Sequence, residues 1–154
     1  MASTSTTNVQ GAQLERVDYR ALLWAGPVAI FGAALLNVVV RELSVLLGLV
    51  PQDHALLGAI PVFIATAVQV TLGVGLFALL GKVARRPISL FRTIALIALV
   101  LSLSQPVMVA TGVFSLPAGG NMTFNLAIVI TMMAMHVIAG LFTIWTLTTQ
   151  AREK

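Results

Sequence analysis

Residues 58–80 read GAIPVFIATAVQVTLGVGLFALL, a stretch without Asp, Glu, Lys or Arg. A bilayer core about 30 Å thick is crossed by about 20 apolar residues rising about 1.5 Å each. The stretch is long enough for that. It is also too evenly apolar for the alternating pattern of a membrane-barrel strand. Three flanking blocks meet the same test: 21–40 (ALLWAGPVAIFGAALLNVVV), 90–111 (LFRTIALIALVLSLSQPVMVAT) and 122–147 (MTFNLAIVITMMAMHVIAGLFTIWTL). Their one base, Arg92, stands near the start of its block, where a long side chain snorkels to the interface. The reading is all-α: a four-helix transmembrane bundle.

Composition agrees. The 154 residues are 58% hydrophobic and 9% charged, against about 25% charged in an average soluble domain. A water-soluble monomer and a disordered chain are both excluded. The absence of cysteine excludes a disulfide framework, a thiolate nucleophile and a cysteine-ligated metal.

The bases set the expected orientation. Arg16 and Arg20 precede the first block, Lys82, Arg85, Arg86 and Arg92 lie between or beside the second and third, and Arg152 and Lys154 follow the fourth. Of the nine bases, all but Arg41 fall on one side of a four-span chain. This pattern places both termini in the cytoplasm. It also leads to one membrane domain over residues 19–150, a flexible cytoplasmic tail over 1–18 and a short one over 151–154. Tyr19, Trp24 and Trp145 then form an aromatic belt at the inner interface. The polar N-terminal lead contains Glu15 and Asp18 and precedes a full-length span, unlike a cleaved signal.

The connections are read by length and punctuation. GKVARRPIS is short, so the second and third helices are antiparallel neighbours. GVFSLPAGGN is a second short, Gly/Pro-punctuated loop. RELSVLLGLVPQDHALL is longer and still apolar, and the first helix is expected to continue or break near Arg41 and end by Pro51. Pro27 and Pro61 are assigned near helix starts, where a missing N–H matters least. Pro106 lies deeper and should kink the third helix.

Small and hydrogen-bonding residues mark the faces that touch protein in a membrane. Each block carries one such stripe: Gly26, Ala29, Ala33, Asn37, Arg41 and Ser44; Pro61, Ala65, Gln69 and Gly73; Ala95, Ala98, Ser102, Gln105 and Gly112; Asn125, Met132, His136, Gly140 and Thr143. From the block boundaries, Asn37 and Asn125 lie roughly 5 Å below the outer boundary, Gln105 roughly 9 Å, Ser102 about 13 Å and His136 about 20 Å. Gln69 is near mid-depth. The inner half is almost wholly apolar. A conducting path needs polar lining in both halves, so this gradient fits an outward-facing pocket or a buried polar lock. Asn37, Arg41, Gln69, Ser102, Gln105, Asn125 and His136 are the candidate ligand-binding residues. The plain alternative is that the amides satisfy one another.

Individual groups have competing readings. His136 is the ionisable group nearest mid-membrane; it is either a neutral hydrogen-bonded imidazole, a proton or ligand contact, or a metal or haem ligand. The run TMMAMH invites Cu(I), yet only the isolated Met108 offers thioether support from another helix. Arg41 is an interfacial anchor or an anion holder at a pocket mouth, with Glu42 pointing elsewhere. The Lys82–Arg92 cluster marks topology or meets anionic lipid. Bases spread over separate segments without interleaved aromatics make no nucleic-acid surface. No intramembrane acid, HExxH, GxSxG or phosphate-cradling glycine loop is present, so neither an enzyme nor a resident metal or cofactor is expected.

The four-span plan, the Asn near the outer end of helix one and the closing pattern MHVIAGLFTIWTL resemble a family of small bacterial membrane proteins of unknown function. The resemblance covers the chain from about Val17 onward. It implies a bacterial inner (plasma) membrane location and supplies no activity. The expected function is a non-enzymatic membrane protein, either an accessory subunit or the binder of a small apolar ligand such as a lipid or quinone. Self-association or a larger membrane complex is expected with it. The alternative is a small secondary transporter or proton-coupled carrier using His136 with Gln69 and Gln105.

Overall fold

The computed structural model describes residues 15–113 and 124–153. Five helices follow in order: α1 (Tyr19–Leu46), α2 (Ala59–Val83), α3 (Pro87–Ser102), α4 (Ser104–Ala110) and α5 (Leu126–Gln150). Helices α3 and α4 together make one span, Pro87–Ala110, so four spans are long and apolar enough to cross a membrane. No strand ladder occurs among the described residues; Val17 and Arg152 form an isolated bridge. The expected loop at 112–121 falls largely outside the described residues, as do residues 1–14 of the expected tail.

Local chemistry fixes the helix ends. The Asp18 carboxylate accepts from the N–H groups of Arg20 and Ala21 and starts α1. Gly48 ends it with φ +69, and Leu49 N–H returns to Ser44 C=O at 2.9 Å. The first helix thus runs past Arg41 and stops before Pro51, as its sequence suggests. Because α1 begins at Tyr19, Pro27 lies in its interior and not near its start. Pro61 does sit in the first turn of α2. Pro106 removes an N–H and crowds the Ser102 carbonyl, and the third span breaks at Leu103 into α3 and α4.

Helix α1 packs along both α2 and α5, while α3 lies on the opposite side of the α2–α5 pair and does not touch α1 among the described residues. Small residues permit the close approach: Ala25, Ala29, Ala33 and Ala34 of α1 are buried. A Cβ at Gly140 would lie 2.8 Å from Leu99 Cδ1, so glycine lets α3 approach α5. Leu23, Trp24, Leu72, Val100, Leu101 and Leu126 are exposed. Such an apolar exterior suits contact with lipid and not water.

One end of the bundle carries the α2–α3 turn with residues 15–18 and 151–153, and here these flanking residues are engaged. Asp18 N–H donates to Ala151 C=O and Glu153 N–H to Arg16 C=O, both at 3.1 Å. The Glu15 carboxylate accepts from Ser89 N–H at 2.9 Å. Tyr19 Oη donates to Ala78 C=O at 3.0 Å. Residues 15–18 and 151–153 therefore belong to the folded body. Phe77 and Phe91 meet edge-to-face at 4.9 Å just inside this terminal end. The opposite end carries the α1–α2 connector, where Val50, Leu57, Val62, Ile128 and Met135 form a second core.

Candidate functional site

A cavity of about 500 Å³ lies between α2, α3, α4 and α5, with α1 behind it. That is within the usual range for small-molecule sites. Five of the residues singled out in the sequence line it: Asn37, Gln69, Ser102, Gln105 and His136. Thr66 and Thr143 join them. Toward the terminal end the lining becomes Leu76, Phe91, Ile94, Ala95 and Ile144, above the Phe77–Phe91 pair. The apolar inner half read from the sequence is the floor of this cavity.

Helix register gathers the polar groups at one level. Asn37 Nδ2 donates to Thr66 Oγ1 at 3.0 Å. A Cβ at Gly73 would lie 3.9 Å from Thr143 Cγ2. About two helical turns toward the connector end from that pair stand Thr66 and His136. About one turn from the Gly140–Leu99 contact brings Ser102 to the same height. Asn37, Thr66, Ser102 and His136 thus share one level to within about 3 Å. This corrects the sequence-based depths, which set Asn37 and His136 far apart. The reason lies in the helix ends: α1 extends to Leu46, beyond Val40, and α5 starts at Leu126, not Met122. Both groups are then about 15 Å from the connector end.

Two side chains at this level donate to backbone carbonyls of their own helices. His136 Nδ1 is 2.8 Å from Met132 C=O. A carbonyl only accepts, so Nδ1 is the donor in that bond. Ser102 Oγ donates to Leu99 C=O at 2.7 Å. Asn37 is 5% exposed and its Oδ1 has no partner among the described residues. Thr143, two turns toward the floor, is 7% exposed and its Oγ1 is also unpartnered. Burying a polar group unmet costs on the order of 1–3 kcal/mol. The amides and hydroxyls therefore do not form a closed lock that satisfies itself. Among the described residues, no Asp, Glu, Lys or Arg lines the cavity.

Two sequence candidates lie elsewhere. Arg41 is 7% exposed and spends its guanidinium on the connector: Nε donates to Leu57 C=O and a terminal nitrogen to Gln52 C=O, each at 2.8 Å. Its other terminal nitrogen pairs with Glu42 at 2.8 Å. Glu42 thus turns toward its neighbour, against the expectation from helix geometry, because both sit near the helix end with long side chains. Asn125 caps α5, its Oδ1 accepting from Ile128 N–H at 2.9 Å. Neither lines the cavity. Thr66 was the residue the sequence reading passed over; its place one turn before Gln69 was the available signal. Among the described residues no group of three or more His, Cys, Asp or Glu is placed to hold a metal.

The fold and cavity define a class: a small multi-pass membrane protein with an uncharged, polar-studded chamber among its spans. The chain belongs to DUF6069, a family of unknown function, whose model matches residues 17–153. No curated protein and no solved structure matches it.

Proposed function

We propose that this chain is a non-enzymatic protein of the bacterial inner membrane that binds a small, largely apolar ligand of the lipid or quinone type in the cavity. The observation that carries the reading is the burial of unpartnered Asn37 Oδ1 and Thr143 Oγ1 in the wall of a chamber with an apolar floor. A polar head at the level of His136 and an apolar body below it match that wall. The clustering of Arg16, Arg20, Lys82, Arg85 and Arg86 at the terminal end supports a cytoplasmic placement of both chain ends, with the connector facing outward.

A carrier is the second reading, favoured by the helix break at Leu103 beside Ser102 and Gln105. Interrupted helices frame the sites of many transporters. The Phe77–Phe91 closure and the apolar floor weigh against a path to the terminal end.

Native mass spectrometry of the gently extracted full-length chain tests the proposal. A small-molecule adduct should accompany the wild type and vanish in Ala98→Trp, which fills the cavity while the oligomer mass stays unchanged. Retention of a larger partner protein with no small-molecule adduct would replace ligand binding with an accessory-subunit role.

A further inference from the structure

A furrow of about 560 Å³ runs along the outer seam between α1 and α2, apart from the cavity. Leu23, Pro27 and Ile30 of α1 and Val74 of α2 form its walls, and Tyr19 and Arg20 stand at its terminal end. Gly26 makes its base: a Cβ there would lie 3.2 Å from Val74 Cγ1, so the helices meet and leave a channel beside the glycine. From Arg20 to Ile30 the furrow is about 15 Å long, at about 1.5 Å per residue. That is half of a hydrocarbon core about 30 Å thick, the depth of one leaflet. We infer that the furrow holds an acyl chain of an anionic phospholipid, with the phosphate held by Arg20 and Lys82.

Helix register puts the two bases at one level. Gly26 and Val74 face each other. Arg20 stands about 9 Å from Gly26 along α1, and Lys82 about 12 Å from Val74 along α2, both toward the terminal end. Their heights agree to within about 3 Å. Tyr19 Oη donates to Ala78 C=O across this end of the furrow, and Lys82 follows Ala78 by one turn on the same face of α2. Arg20 and Lys82 are exposed, and among the described residues neither side chain has a hydrogen-bond or ion-pair partner. The acids nearest Arg20 in sequence are turned to backbone: Asp18 accepts from the N–H groups of Arg20 and Ala21, and Glu15 from Ser89 N–H. The furrow thus ends in two unpaired positive charges, one leaflet's depth from its apolar tip. A zwitterionic head brings its own cation to that place, whereas a net negative head neutralises it.

The delipidated full-length chain in detergent is titrated with dioleoylphosphatidylglycerol or dioleoylphosphatidylcholine and read by native mass spectrometry. Each base beside an anionic lipid is worth about fivefold in affinity, about 1 kcal/mol. The first phosphatidylglycerol should therefore bind at least about tenfold tighter than the first phosphatidylcholine. Arg20→Gln and Lys82→Gln should each cut that preference about fivefold. Arg86→Gln, at the start of α3 and away from α1, should leave it unchanged. Leu23→Trp crowds the furrow and should weaken both lipids while keeping their ratio. All four positions are exposed, so the bundle itself is left intact. Equal binding of the two lipids overturns the site. A preference that falls as much in Arg86→Gln as in Arg20→Gln is diffuse attraction by the basic end and overturns it too. Binding untouched by Leu23→Trp removes the chain from the furrow. Loss of the preference in Ala98→Trp would move the lipid into the cavity; its persistence there keeps this site separate from the cavity and its ligand.

Discussion

Asn37 of α1 and Thr66 of α2 share a hydrogen bond of 3.0 Å, side chain to side chain, inside the bundle. The bond fixes one wall of the cavity and points the Asn37 amide so that Oδ1 remains unmet. Interhelical bonds of this kind contribute on the order of 0.6 kcal/mol and at most about 1.7 kcal/mol. A double-mutant cycle of Asn37→Ala and Thr66→Val, read by unfolding in mixed micelles, should return a coupling in that range. A coupling of zero would mean the pair is not bonded in the folded bundle.

Arg41 organises the connector by binding two carbonyls, of Gln52 and Leu57. Arg41→Ala should cost about 2–4 kcal/mol, since charge-assisted bonds are lost from a buried position. The more local sign is faster amide exchange at His54 and Leu57, whose N–H groups bond within the connector. Arg41→Lys should recover only part of this protection, because one ammonium cannot span both carbonyls.

His54 of the connector is 5% exposed and packs edge-to-face with Phe124 at 5.6 Å. Burial pushes its imidazole below the ordinary value of 6.5, and the Asp53 carboxylate opposes that in part. A lowered value means the folded connector favours the neutral ring and the opened connector takes up the proton. The stabilisation is complete above about pH 6.5 and is lost as pH falls through the lowered folded value. Amide exchange at His54 and Leu57, corrected for its intrinsic pH dependence, should therefore accelerate below about pH 6.5. His54→Phe should flatten the profile; an unchanged profile would exclude this ring as the cause.

Gly81 stands where a side chain would strike the terminal end. A Cβ there would lie 2.6 Å from Tyr19 Oη and 2.9 Å from Val17 Cγ2. Gly81→Ala should displace the Tyr19 hydroxyl from Ala78 C=O and destabilise the bundle by about 1–3 kcal/mol, the usual range for overpacking. Adding Tyr19→Phe frees space, so the double variant should be more stable than Gly81→Ala alone in thermal unfolding.

The spans were legible because each apolar block is long enough to cross a bilayer, and Pro106 announced the break seen at Leu103. The polar stripe was legible too, since only a protein-facing side of a membrane helix tolerates Gln69 or His136. What sequence could not supply was the destination of each hydrogen bond. Arg41 and Asn125 lie on the same stripes as the cavity groups, yet their polar atoms are used by Leu57, Gln52, Glu42 and Ile128. Depth was lost for a related reason: block edges mark where hydrophobicity ends, and α1 continues through Arg41 to Leu46 regardless. His54 looked like a loop residue, because burial in a connector leaves no periodic signature.

The bridge between Val17 and Arg152 joins the earliest described part of the chain to the latest. During synthesis these residues leave the ribosome on the order of ten seconds apart. The first helix therefore keeps an open rim at Arg16 and Asp18 until residues 151–153 have been made. A product truncated before Ala151 never gains the strand-like partner that closes Asp18 and Arg16. Copies with and without residues 151–153 thus differ at one spot on one face.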